Sequence, residues 1–387
     1  MFLQINSGET CFLSFLLLSL PQKNIEKKHK NMIKVCTTFS GYDSQCLALD
    51  RLGLDYELVA WSEIEPNAIK AHNALYPQYK DRNLGDISKI DWNSVPDFDF
   101  LTYSSPCTDF SSIGLQMGGE EGSGTRSSLL WEVEKAIRVK RPKYLLMENV
   151  SALVGKKFKH LFDRWLKLLE NYGYKNYYKV LSPIDYGISQ TRRRVFVVSI
   201  LGEDDNGFSF PDKVQLKTLV GDYLENDVDN SFYLTPEKVE KISKWKAFEK
   251  PLEKAKSAKD PFIGCLTARG AGEEHSGMQL IKYPIVENPV SNDACNYVFR
   301  KITPRECFRF MGLKDNEIDK VLDADINNRN LYKLAGNSIV VDVLSAIYKE
   351  MFLGSNTQKK YVKDDMVKDN MNSQRYVQLT FFENVEN

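Results

Sequence analysis

The sequence predicts an α/β fold: a mostly parallel sheet flanked by helices, with a smaller second unit set into the chain. Three observations carry this. From Ile33 onward, short apolar runs alternate with segments of helical spacing, the pattern of βαβ units that build a parallel sheet. The periodicity fades after Gly202 and returns at Lys301, which marks an insertion. Strand-like runs end on turns of small and polar residues, as at Ser40-Gly41 and at Ser104-Ser105-Pro106-Cys107.

Ile33–Phe39 reads as the first strand, and Gln45–Leu52 carries apolar residues at helical spacing. Leu58–Ser62 is the second strand and runs into Glu63. Pro66 sits just inside the next helix, where a missing N–H costs little. Asp86-Ile87 precedes the linker to the aromatic strand Phe98–Tyr103. The Gly-rich stretch Gly114–Ser127 is long enough to be a functional lid. Leu129–Val139 is helical, and Lys143–Met147 is a strand ending in Glu148-Asn149-Val150. Phe158–Leu169 is an amphipathic helix. Tyr174–Leu181 and Arg194–Ile200 are strands, with Gln190-Thr191-Arg192-Arg193 between them. Thr303-Pro304-Arg305-Glu306 has the capping-box pattern of a helix start. Leu334–Ser338 is read as opening an apolar helix, Ile339–Phe352. These readings divide the chain into an extension (1–31), a main unit (32–202), a second unit or insertion (203–296), a return to the main unit (297–353) and a polar tail (354–387).

Composition narrows the classes. Lys+Arg and Asp+Glu both total 52, so the net charge is zero. A phosphate-binding surface must then be a local patch. The seven cysteines form no CxxC pair and there are only four His, which argues against a zinc site and a disulfide framework. No metal is expected, and a reducing compartment fits. The apolar run Phe12–Leu20 is too short to span a bilayer and lacks a basic lead-in. The preferred reading makes Met32 the true start, the second a poorly packed N-terminal helix over 1–31, and no membrane attachment is expected.

Several residues could carry chemistry. Cys107 lies on a turn at the carboxyl edge of the predicted sheet, where open α/β folds bind ligands. A lone Cys is as a rule a small buried hydrophobe, so its partners decide. Glu148, at another strand end on the same edge, could assist a thiol as an acid. In an extended segment Arg192 and Arg194 face one side and Arg193 the other. Phe39-Ser40-Gly41 occupies the position of a nucleotide-binding turn. Asp43 stands where a second Gly would complete the fingerprint, which disfavours a pyrophosphate and tolerates a cationic ligand without phosphate. Glu63 is placed to accept hydrogen bonds from ribose hydroxyls.

Taken in order, Phe39-Ser40-Gly41, Pro106-Cys107, Glu148-Asn149-Val150, Gln190-x-Arg192-x-Arg194, the run RKITPRECFRFMG (300–312) and Gly336-Asn337-Ser338 resemble the DNA (cytosine-5)-methyltransferases of bacteria and phages. The resemblance covers residues 32–352 and weakens only over about 203–296, where that family carries its target recognition domain. It implies a Rossmann-like S-adenosylmethionine-dependent methyltransferase fold. It also implies methyl transfer from S-adenosyl-L-methionine to C5 of a flipped-out cytosine in a specific double-stranded DNA sequence. By resemblance Cys107 would be the nucleophile, Glu148 would hold the base edge, Arg194 would contact O2 and Arg192 would brace the same loop. Phe39, Ser40, Gly41, Glu63, Ile64, Asp86, Ile87, Pro106, Leu129, Asn337 and Ser338 would form the cofactor pocket. Residues 108–127 would close over the base, and Cys265–Gly272 would read the major groove. Asp43, Ile64 and Thr108 depart from the family pattern. The resemblance further suggests a monomer in the cytoplasm of a bacterial or phage-infected cell, with a cognate restriction endonuclease as an allowed partner. A non-catalytic DNA-binding relative and a tRNA methyltransferase of the same fold stand as alternatives. A Rossmann oxidoreductase is disfavoured by the missing GxGxxG.

Overall fold

The computed structural model describes residues 32–106, 129–202, 207–245, 251–268, 278–285 and 296–354. A six-stranded sheet has the order β2-β1-β3-β4-β6-β5, with β1 Ile33–Thr38, β2 Tyr56–Ser62, β3 Phe100–Tyr103, β4 Tyr144–Val150, β5 Tyr174–Leu181 and β6 Arg194–Leu201. Strands β1 to β4 pair in parallel, whereas β6 runs antiparallel to both β4 and β5. The mainly parallel α/β sheet expected from the sequence is present.

The strands are apolar on both faces because both faces are covered. Phe100, Leu146, Phe196 and Val198 pack into one core cluster. Their neighbours Leu101, Leu145, Met147, Val195 and Val197 pack into the other. Period-two alternation therefore sorts side chains between two helical layers rather than between core and water. Helices α1 Ser44–Arg51, α2 Pro66–Leu75, α3 Leu130–Lys140 and α4 Lys159–Asn171 follow the first strands, within a few residues of the sequence-based bounds.

The chain leaves β1 for β2 on one side and returns to β3 on the other. The sheet order thus reverses between β1 and β3, and a crevice opens at the carboxyl ends of these strands. Beyond the sheet come α5 Pro236–Ser243, an antiparallel pair of β7 Leu280–Pro284 with β8 Tyr297–Lys301, and α6 Pro304–Phe310, α7 Asp315–Leu322, α8 Asn328–Asn337 and α9 Val341–Tyr348. Leu234, Ile242, Ala255, Met278, Leu280 and Phe299 form a small core of their own. In the same stretch Phe210, Val220, Tyr223, Ile263 and Leu266 pack into the main core.

One expectation is corrected here. Leu334–Ser338 does not open a helix. Asn337 ends α8, Ser338 is its C-cap, and the apolar helix α9 begins at Val341. Helices α7 and α8 carry too few apolar residues per turn to stand out in the sequence, but their N-termini are built as capping chemistry requires. Asn327 caps α8 through Asn330 N–H, and Glu317 accepts from Lys314 N–H at the start of α7. The Thr303 capping box is formed, with Glu306 N–H donating to Thr303 Oγ1 and Thr303 N–H to Glu306 Oε2.

Candidate active site

A cleft of about 590 Å³ lies at the carboxyl ends of β1 to β4. Phe39, Ser40, Gly41, Glu63, Ile64, Asp86, Ile87, Pro106, Leu129, Asn337 and Ser338 all line it, together with Glu148, Arg192 and Arg194. Tertiary structure thus gathers into one crevice residues that lie up to 299 positions apart. Cys107 and the lid 108–127 lie outside the described residues, as do positions 269–277. Pro106, the chain neighbour of Cys107, is on the wall of the cleft.

One end of the cleft is built from the turn after β1 and the end of β2. Phe39 has φ 54° and Gly41 φ 59°, so two left-handed residues lie close together in this turn. Gly41 N–H donates to Glu63 Oε2 at 2.9 Å, while Ile64 and Glu65 N–H donate to Oε1 at 2.8 and 2.9 Å. Three backbone donors fix the Glu63 carboxylate and leave acceptor capacity for a ligand. Asn83 is a positioning residue that the sequence reading passed over. Its side chain accepts from Glu63 and Gly85 N–H and donates to Glu63 O, holding the Glu63 and Asp86 loops side by side. Asp86 accepts from Ser88 N–H and Oγ, which hold its carboxyl below the usual range. Ile64 is 67% exposed at the cleft, a large apolar surface for a ligand to cover.

The other end holds the acid. Glu148 is buried, and its carboxylate lies 3.2 Å from Arg194 Nε. Desolvation pushes its pKa up from 4.5, against the opposing pull of Arg194 and then Arg192. Asn149, which the sequence reading quoted without a role, donates from Nδ2 to Ser105 O at 3.2 Å. It thereby ties the end of β4 to the turn that carries Pro106 and Cys107. A side-chain amide beside a candidate acid, between two strand ends, was the available signal.

Arg192 and Arg194 both line the cleft and Arg193 is exposed. Their tasks differ. Arg192 is buried and donates to Leu266 O at 2.6 Å and to Gly336 O and Ser338 O at 2.9 Å. Asp43 calls for a correction. It does not face the cleft. It is fully buried beneath the turn as the N-cap of α1, because its carboxylate finds an unpaired helix N–H and a threonine hydroxyl there.

Among the described cysteines, Cys36, Cys46 and Cys307 are buried and burial pushes their thiols up, which disfavours thiolate. Among the described residues, no group of His, Cys, Asp and Glu could hold a metal and no helix is long and apolar enough to cross a membrane.

Residues 33–353 match the family model of C-5 cytosine-specific DNA methylases. The chain belongs to this family. It is therefore a DNA (cytosine-5)-methyltransferase that uses S-adenosyl-L-methionine and acts on cytosine in DNA. Among its relatives, the methylase is 36% identical over 375 residues to the type II methyltransferase M2.ScrFI of Lactococcus lactis subsp. cremoris, an alignment covering 83% of this chain and 99% of that one. It is 36% identical over 301 residues to the orphan methyltransferase M.SssI of Spiroplasma monobiae, with 74% of each chain covered. The fold is shared with S. pombe Dnmt2, at TM-score 0.64 and 22% identity over 84% of this chain and 99% of that one. The donor set of the cleft suits the cofactor. Its cations are engaged within the protein, Lys333 with Glu65, Arg194 with Glu148 and Arg192 with backbone carbonyls. A ligand without phosphates but with ribose hydroxyls and a cationic centre matches walls that offer the carboxylates of Glu63 and Asp86.

Proposed function

We propose that the methylase works through a covalent adduct between Cys107 and C6 of a cytosine flipped out of a specific duplex sequence. C5 of cytosine is a weak nucleophile. Addition of the Cys107 thiolate to C6 moves the ring electrons onto C5, giving an enamine-like species. Glu148 holds N3 and the exocyclic amino group and supplies the proton that the developing negative charge takes up. Arg194 contacts O2 and keeps Glu148 oriented, and Arg192 holds the neighbouring loop. Bound S-adenosyl-L-methionine supplies an electrophilic methyl group. As C5 takes the methyl, S-adenosylhomocysteine leaves; loss of the C5 proton to solvent then forms the C5–C6 double bond, breaks the S–C6 bond and frees the thiolate, and N3 returns its proton to Glu148.

The observation that carries this reading is the Glu148–Arg194 pair. A carboxyl pushed toward its protonated form sits on a sheet edge shared with Pro106 and with the Phe39–Gly41 turn. In the same reading Phe39 and Ile64 pack on adenine, Asp86 and Ile87 lie at its edge, Glu63 takes the ribose, Pro106, Leu129, Asn337 and Ser338 complete the pocket, and residues 203–296 read the target. The relatives include type II methyltransferases and orphan methyltransferases of Bacillus phages, which supports restriction-modification or phage self-protection as the role. The protein acts as a monomer in the cytoplasm of a bacterial or phage-infected cell.

The test is transfer of labelled methyl to cytosine C5 in duplex DNA. Cys107→Ser should abolish it, and surviving transfer would refute the covalent route. DNA carrying 5-fluorocytosine at the target should trap the protein covalently, because fluorine cannot leave as a cation. Bisulfite sequencing of DNA from an expressing host reads out the recognition sequence.

A further inference from the structure

Beneath the Phe39–Gly41 turn lies a buried polar cluster that the transfer chemistry does not use. Its centre is Asp43, left-handed at φ 70° and ψ 57°, a conformation that favours glycine. Asp43 Oδ1 accepts from Cys46 N–H at 3.2 Å, and Oδ2 accepts from Thr37 Oγ1 at 3.0 Å. Oδ2 also lies 3.5 Å from Nε2 of His72, which is fully buried and stacked on Trp61 with ring centroids 3.7 Å apart. Thr37 Oγ1 is 2.8 Å from Ser40 Oγ. With the Thr37 proton committed to Asp43, Ser40 Oγ holds the proton on that side and has three acceptors within reach, Thr37 Oγ1 at 2.8 Å, Thr37 O at 3.1 Å and Ser62 O at 3.3 Å. Ser40 N–H is also tied to Ser62 O at 3.2 Å, one residue before Glu63. A chain of contacts thus runs from a buried carboxylate through Thr37 to Ser40 on the cleft wall.

We propose that Asp43, backed by His72, is a positioning residue for the cofactor. Its carboxylate aims the Thr37 hydroxyl, Thr37 holds Ser40, and the turn is kept in its binding shape before the ligand arrives. Without this support the turn samples other conformations, and binding carries the cost of ordering it. The loss then falls on cofactor affinity and KM rather than on kcat, since ground state and transition state need the same turn. The proposal rests on the reading that this turn holds S-adenosyl-L-methionine.

The test uses the full chain with Asp43→Asn and Thr37→Val. Asn keeps a left-handed residue and one acceptor, but removes the charge and the second acceptor. Val keeps the shape of Thr37 and cuts the link without touching Asp43. Calorimetry with S-adenosylhomocysteine should show binding weakened roughly five- to tenfold in each, the range of one lost hydrogen bond. Hydrogen exchange of the ligand-free protein should quicken over residues 37–46. Phe39→Ala and Glu63→Ala serve as references. If they too bind as the parent does, the assignment of the cleft fails. If they weaken binding while Asp43→Asn and Thr37→Val keep parental affinity and exchange, the Asp43 proposal is overturned, even where melting temperature falls. Should Asp43→Asn fail to fold, Thr37→Val decides alone.

Discussion

Glu148 bears on stability and, in the proposed mechanism, on chemistry, with opposite consequences. Burial raises its pKa despite two nearby guanidinium groups. The fold therefore binds a proton here more tightly than the unfolded chain does. Above the raised pKa the buried carboxylate is ionised in both states and penalises folding. Below the ordinary 4.5 that penalty vanishes. Parental stability relative to Glu148→Gln should thus fall as pH rises through the raised pKa and stay low beyond it. Thermal melts of the two proteins between about pH 4 and pH 9 check the sign. Activity should move the other way: Glu148→Gln should lower kcat by roughly 10²–10⁴, the range of general acid–base assistance. Asn149→Ala should also lower kcat, because Ser105 and the turn beyond it lose their anchor. A parental rate in single-turnover assays would remove that role.

At the scale of elements, the Gly336–Ser338 wall of the cleft and the Cys265–Ala268 segment are fastened together. Arg192 spans Leu266, Gly336 and Ser338. Gln190 Nε2 donates to Phe310 O at 2.8 Å, and its Oε1 accepts from Leu266 N–H at 3.1 Å. Gly336 permits the closest approach, since a Cβ there would run into the Thr267 carbonyl and Ala268 N. Gly336→Ala should cost about 1–3 kcal/mol, because a backbone segment must move. It should also weaken both S-adenosylhomocysteine and DNA binding, read by calorimetry and gel shift. Arg192→Lys keeps the charge but loses the planar fork that reaches several carbonyls at once. It should leave buried acceptors unmatched and lower the urea midpoint.

For the molecule as a whole, the return from β8 into α6 is secured by a buried charge pair. Arg300 and Glu306 are fully buried, with Nη2 to Oε1 at 2.7 Å and Nη1 to Oε2 at 2.8 Å. Glu306 also accepts from Thr303 and Glu225 N–H, and Arg300 Nε donates to Tyr283 OH at 3.1 Å. These bonds join three distant parts of the chain. Glu306→Ala leaves a buried guanidinium uncompensated and should cost about 3–5 kcal/mol in urea unfolding. The double replacement Arg300→Met with Glu306→Leu should cost less than the sum of the two single changes, because it strands neither charge.

The alternation of apolar runs with helical spacing is a local property of the chain. It was enough to read strands β1 to β6, helices α1 to α4 and the Thr303 cap from residues 32 onward. The candidate site residues were legible for a related reason: strand ends and turns are marked by Gly, Pro, Ser and charged residues whose backbone needs are local. What each side chain meets is not local. Asp43 looked like a wall of the ligand turn, yet a free helix N–H and Thr37 draw it under the floor. Spacing alone puts Arg192 and Arg194 on one face, and only the fold supplies the carbonyls at positions 266, 336 and 338 that Arg192 meets. Asn83 carries no pattern of its own, Asn149 is marked only by the acid beside it, and the adjacency of strand ends gives each its partners. Pattern in the chain decides which elements form and where they stop. Partner choice by a buried polar group depends on which segments the sheet order brings within about 3 Å, and that only the tertiary structure decides.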